Sequence, residues 1–122
     1  MKVLGLVWDG VRTGEFDRTL EFFRDVLGVP LTEVSEGLAK GRMPNTSLLE
    51  IFGPDDRDHT HFTTGPVPEF LVDDLVGAAD ELRAAGVELL GEVGGTAEEG
   101  WLHFRGPDGN VYGLTSSDSY RR

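Results

Sequence analysis

The chain has 122 residues, a formal charge of −11 and no cysteine. That length suits one domain with a real core. The lack of cysteine excludes a disulfide frame, a thiol nucleophile and a cysteine-based zinc site. The acidity argues against nucleic acid and anionic membrane surfaces as partners, since both demand basic patches. It is compatible with a cationic ligand and equally with a charged solubility surface. The N-terminal apolar run is closed by Asp9 and is too short for a secretory leader. No segment has the length needed to span a bilayer, and the expected location is the cytoplasm.

Residues 3–8 read as a strand. Leu4, Leu6 and Trp8 share one face, and Gly10 and Arg12 continue it. Thr13 is a candidate N-cap for a helix whose stripe is Phe16, Leu20, Phe23 and Leu27. Gly28 and Pro30 end it. Three short strands follow, at 31–34, 38–43 and 46–52. In the last of them Leu48, Glu50 and Phe52 share one face, so a carboxylate sits between two large hydrophobes. Buried bare, it would cost several kcal/mol or more, so Glu50 needs a partner, a metal, a proton or water.

Residues 53–65 are polar, contain His59 and His61, and read as a linker in which both histidines are solvated. Val67–Val72 reads as a strand with Val67, Glu69 and Leu71 on one face. Asp73 is an N-cap candidate for a second helix, with Leu75, Ala78 or Ala79, Leu82 and Ala85 as its stripe and Gly86 as its stop. Strands are expected at 87–93, 101–105 and Val111–Ser116, the last two joined by the turn sequence Gly106-Pro107-Asp108-Gly109-Asn110. Both halves therefore read β-α-β-β-β. Leu27-Gly28-Val29-Pro30-Leu31 recurs as Ala85-Gly86-Val87-Glu88-Leu89, which marks an internal repeat. The expected organisation is a module at 1–53, a linker at 54–65, a module at 66–117 and a tail at 118–122.

Three stretches carry a resemblance: Phe22-Phe23-Arg24-Asp25-Val26-Leu27-Gly28, Phe70-Leu71-Val72-Asp73-Asp74-Leu75, and Phe104-Arg105-Gly106-Pro107-Asp108-Gly109-Asn110. In that order and spacing the chain resembles the glyoxalase/bleomycin-resistance/extradiol-dioxygenase family, the vicinal oxygen chelate superfamily. The resemblance implies an α+β fold, two βαβββ modules forming a curled mixed sheet around a cleft. It also implies commonly a homodimer, in some members by exchange of modules. Metal-dependent members place one ligand on each of four strands. Counted without gaps, those positions fall here on Trp8, Glu50, Val67 and Gly113, of which only Glu50 can bind a metal through its side chain.

The cleft expected from alternation contains Trp8, Arg12, Leu48, Glu50, Phe52, Val67, Glu69 and Gly113, with Val111 and Thr115 beside Gly113; from residues 101–105 alternation offers either Trp101, His103 and Arg105 or Leu102 and Phe104, and Trp101 and His103 are the candidates taken. Glu50 is expected to answer Arg12, water or a cationic ligand. No cofactor is expected; the alternative is a divalent ion at a non-standard Glu50, Glu69 and His103 site. The leading functional reading is a metal-free protein that binds or sequesters an aromatic or cationic small molecule, as drug-resistance members of the family do. The alternative is an enzyme of the same superfamily, a lyase, isomerase or dioxygenase, using Glu50 as acid or base. A third reading is an interaction protein with a vestigial cleft.

Overall fold

The computed structural model describes residues 1–63 and 65–121. Thr64 of the expected linker and Arg122 of the expected tail lie outside the described residues. The chain opens with β1 (Val3–Arg12) and α1 (Phe16–Glu21), which runs on into a π-helical turn at Phe22–Val26. Next come β2 (Thr32–Ser35), β3 (Leu38–Arg42) and β4 (Leu48–Phe52). The second half holds β5 (Val67–Val72), α2 (Leu75–Ala84), β6 (Glu88–Leu89), β7 (Gly94–Gly95), β8 (Gly100–Arg105), β9 (Val111–Ser116) and a 3-10 turn at Asp118–Arg121.

All the strands join one mixed, open sheet in the order β2-β3-β4-β1-β5-β9-β8-β6, with β7 also on β8. The centre is the antiparallel pair β1–β5, flanked by β4 parallel to β1 and β9 parallel to β5. Each half thus repeats the same arrangement about this seam. The repeated corner has a local cause: Gly28 and Gly86 both sit at φ +77°, the left-handed geometry that ends a helix and favours glycine.

Alternation sorts the side chains onto two faces. Leu49 and Ile51 of β4 pack with Phe16, Leu20, Leu31 and Ala39 under the first helix. Val72, Leu102 and Leu114 pack with Leu75, Ala78 and Ala79 of α2. The opposite face carries Trp8, Phe52, Val67, Leu71 and Val111.

Several local expectations are corrected. The π-helical turn inserts extra backbone, which rotates the helical stripe; Phe16 and Leu20 are buried, but Leu27 is 56% exposed. The cap of α2 is Asp74, whose side chain accepts from the Gly77 amide at 3.0 Å. Asp73 instead donates its amide to the Lys2 carbonyl at 3.3 Å, beside the β1–β5 pairing. The expected strand at 87–93 reduces to β6, which pairs with β8 over two residues; β7 lies just beyond it and pairs with β8 as well.

The largest departure is the connection between the halves. Most of its described residues are exposed, but its two histidines are not free in solvent. Phe62 is 4% exposed and lies edge-on to Trp8 and Phe52, at 6.1 Å between centroids in both cases. His59 stacks on Phe52 at 3.7 Å. A segment polar in composition is thus anchored by one buried aromatic and two engaged imidazoles. Phe62→Ala is expected to destabilise the fold by about 3–5 kcal/mol, read as a lower denaturant midpoint; a loss below 1 kcal/mol would mean the connection is not anchored.

Candidate functional site

The register of the central seam decides which residues meet. Trp8 lies opposite Glu69 across β1–β5. On one side β4 sets Glu50 against Gly10, two residues beyond Trp8. On the other β9 sets Thr115 against Leu71, two residues beyond Glu69. One strand further out, β3 sets Lys40 against Glu50 and β8 sets Trp101 against Thr115. The first half therefore supplies Trp8, Glu50 and Lys40, and the second Glu69, Thr115 and Trp101. All six line one cleft of about 270 Å³, together with His59, His103 and Tyr120. Six flat strands would spread over roughly 24 Å. Side chains from β3 and β8 share a cleft because the sheet curls.

On one wall, Trp8 donates its indole N–H to Glu50 Oε1 at 3.2 Å, and Lys40 Nζ lies 3.6 Å from the same oxygen. Glu50 is half-buried and thereby answered on two sides. Arg12 is not its partner. Arg12 stands opposite Phe52, beyond Glu50, and turns to the connection. There it donates to the Asp56 carbonyl at 3.4 Å, with Nε 3.8 Å from the Asp56 carboxylate.

The other wall is built on Glu69, 4% exposed, and His103, 8% exposed. His103 Nε2 is 2.6 Å from Glu69 Oε2. The other ring nitrogen, Nδ1, is 3.0 Å from Nε2 of His61. Burial pushes the Glu69 carboxyl up, opposed by the hydrogen bond from His103. Burial and the neighbouring His103 push the His61 imidazole down. Gly113 lies between Glu69 and His103 in the register. A Cβ there would come within 2.8 Å of Glu69 Oε2, so this glycine is the gap that lets the two side chains meet.

Among the residues expected from sequence, the cleft brings together Trp8, Glu50, Glu69, Trp101 and His103. Arg12, Leu48, Phe52, Val67 and Gly113 are not among its lining. Leu48 packs half-buried against the apolar cluster, Phe52 lies beneath His59, and Val67 has no exposure at all. Sequence reading missed Lys40, His59 and Tyr120. Alternation along β3 from its pairing with β4 is the signal that finds Lys40; nothing local identifies the other two.

The four-ligand metal site of the family does not fit these residues. Its positions, counted on Trp8, Glu50, Val67 and Gly113, hold an indole, a carboxylate, an isopropyl group and no side chain. Glu50 already faces an ammonium and an indole N–H, and both nitrogens of His103 are taken by Glu69 and His61. Among the described residues no group of three or more His, Asp or Glu side chains is arranged to hold a metal ion.

The C-terminal turn closes one end of the cleft. Thr46, at φ +72°, donates Oγ1–H to the Tyr120 carbonyl at 3.1 Å. Arg42 donates to the Thr46 carbonyl at 2.7 Å and lies 5.3 Å over the Tyr120 ring. Burial, with Glu69 and Glu50 nearby, pushes the Tyr120 phenol up to about 12. The unfolded phenol loses its proton near pH 10, so the folded state should lose stability as the pH rises from 10 towards 12. Absorbance titration should show a phenol with a midpoint near 12 that vanishes in Tyr120→Phe; a midpoint near 10 would mean the turn leaves the cleft open.

The family model described as Glyoxalase/Bleomycin resistance protein/Dioxygenase superfamily matches residues 5–113. No curated protein is similar to the chain at a significant level. Among solved structures, methylmalonyl-CoA epimerase from Mycobacterium tuberculosis shares 25% identity at a TM-score of 0.69, over 94% of this chain and 89% of its own. The Streptomyces coelicolor methylmalonyl-CoA epimerase shares 20% at 0.67, over 95% and 99%. A structure described as NAD-dependent benzaldehyde dehydrogenase from Legionella pneumophila shares 12% at 0.65, over 89% and 96%. The last two likenesses show the fold alone. With the model matched over most of its length and the two-module sheet in place, this chain belongs to the glyoxalase/bleomycin resistance protein/dioxygenase superfamily.

Proposed function

We propose that the protein binds a small aromatic or cationic molecule in the cleft between Trp8 and Trp101, without a metal. The observation that carries this reading is the convergence of two carboxyl groups, Glu50 and Glu69, on a cleft walled by two indoles. Aromatic faces attract cations, and a carboxylate beside them adds an ion pair. The volume lies just under that of ordinary ligand pockets, and three aromatic side chains, Trp8, Trp101 and Tyr120, stand among polar and titratable groups. Lys40 is the counterweight. At 3.6 Å from Glu50 it holds the carboxylate loosely and is itself exposed, so a cationic ligand would compete with it. Binding without chemistry would make the protein a sequestering one.

A second reading is favoured by the Glu69–His103 pair. A buried carboxyl hydrogen-bonded to an imidazole, with Glu50 on the opposite wall, is a set of groups able to move protons to and from a bound molecule. The likeness to epimerases lends it support. It differs from the first in requiring turnover.

Calorimetry with benzyltrimethylammonium, benzyl alcohol and benzoate separates these readings. The cation should bind best, with affinity reduced roughly tenfold in Glu50→Gln, a change of about 1.4 kcal/mol, and raised in Lys40→Met. No binding of any probe, or equal binding in Glu50→Gln, would sink the cleft assignment. Turnover of a bound molecule that disappears in Glu50→Gln while binding persists would favour the enzyme.

A further inference from the structure

The cleft is not the only opening reached by His103. A second hollow of about 300 Å³ is lined by Asp58, His59, His61, Leu90, Glu92, Trp101 and His103. His103 thus stands between two openings. Its Nε2 meets Glu69 in the cleft, and its Nδ1 meets His61, which lines the hollow but not the cleft. No hydrogen bond is made by His61 Nδ1 among the described residues, so that nitrogen is left for solvent or a proton donor.

We propose that Glu69, His103 and His61 form a proton relay, which loads and unloads the cleft carboxyl from the second hollow and not through the cleft mouth. The relay has two patterns, each with both hydrogen bonds intact. In the first, Glu69 is ionised and accepts from His103 Nε2–H, while His103 Nδ1 accepts from His61 Nε2–H of an imidazolium. In the second, the N–H bonds at His61 Nε2 and His103 Nε2 have broken. An N–H bond has formed at His103 Nδ1 and an O–H bond at Glu69 Oε2. Glu69 is then a neutral acid and both imidazoles are neutral. Net charge is unchanged, no electrons are exchanged, and one proton has passed from His61 to Glu69 without either ring turning over.

Two further observations agree. Burial raises the proton affinity of Glu69 and lowers that of His61, which brings unlike groups closer together. Gly113 removes the one side chain that would separate Glu69 from His103. The charges facing the relay come from every side: Glu50 on β4, Lys40 on β3, Tyr120 in the C-terminal turn, His59, Asp56 and Asp58 in the connection, Glu92 between β6 and β7, and Arg105 on β8. The relay goes beyond the binding reading and does not depend on which molecule the cleft holds.

The test uses the ligand-free protein. Nitrogen-15 spectra of the imidazoles and carbon-13 spectra of the Glu69 carboxyl are followed from pH 4 to 9. The relay requires that protonation of Glu69 and exchange of the His103 tautomer, Nε2–H for Nδ1–H, occur in one step. If His103 keeps a single tautomer throughout, or Glu69 titrates without it, the relay does not exist. This measurement needs no variant. In His61→Gln, whose amide can hydrogen-bond to Nδ1 but cannot pass a proton, exchange of the His103 ring proton with solvent should slow by roughly 100-fold. An unchanged exchange rate would show that protons reach Glu69 by the cleft.

Discussion

The antiparallel pairing of β1 with β5 is the constraint on which the molecule depends. Among the described residues it is the only seam between the two halves in the sheet path, and its register places Trp8 opposite Glu69. A slip of one residue would turn every side chain of one half to the other face. Glu69 would then leave the cleft with Thr115 on β9, while Trp8 and Glu50 kept their face. Irregularities in β1, between Val3 and Gly5 and between Leu6 and Trp8, adjust this register. They explain why Val7 and Trp8 are both buried although adjacent, while Leu6 is 55% exposed. The indole lies over Gly10, where a Cβ would come within 2.8 Å of Phe62, so backbone space is as important here as side-chain identity.

The cost of the site is electrostatic. A carboxyl as buried as Glu69 needs a partner. It has one in His103, and His103 in turn needs an acceptor or donor for its other nitrogen, supplied by His61. His61 reaches it because Phe62, the next residue, is driven into the apolar cluster with Trp8 and Phe52. Hydrophobic burial of one ring therefore positions the polar group beside it. The connection between the halves is part of both the core and the site.

Much was legible from residues alone, and for identifiable reasons. The order of helices and strands follows from period and from glycine and turn signals, and the repeated Gly28 and Gly86 corners adopt the same left-handed geometry. Glu50 was marked by its place between Leu48 and Phe52, since alternation needs no tertiary information. The same rule grouped Trp8, Glu69, Trp101 and His103 as candidates. It also swept in Leu48, Phe52 and Val67, because alternation assigns a face and is silent about depth along the strand. Arg12 was misassigned for that reason as well: it shares a face with Trp8, but Asp56 in the connection is the nearer charge.

By itself the sequence determined the two-module α+β fold, the family and the face on which polar groups collect, because these rest on local periodicity and turn chemistry. Only the tertiary structure decided that the polar connection is buried at Phe62, that Tyr120 returns to close the cleft, and that Glu50 answers Lys40 and Trp8. It also decided that Glu69, His103 and His61 lie in one hydrogen-bonded line. Those pairs are 42 residues apart in the chain for His61 and His103 and 34 for Glu69 and His103. Their meeting depends on how the sheet curls and registers, which no local pattern encodes.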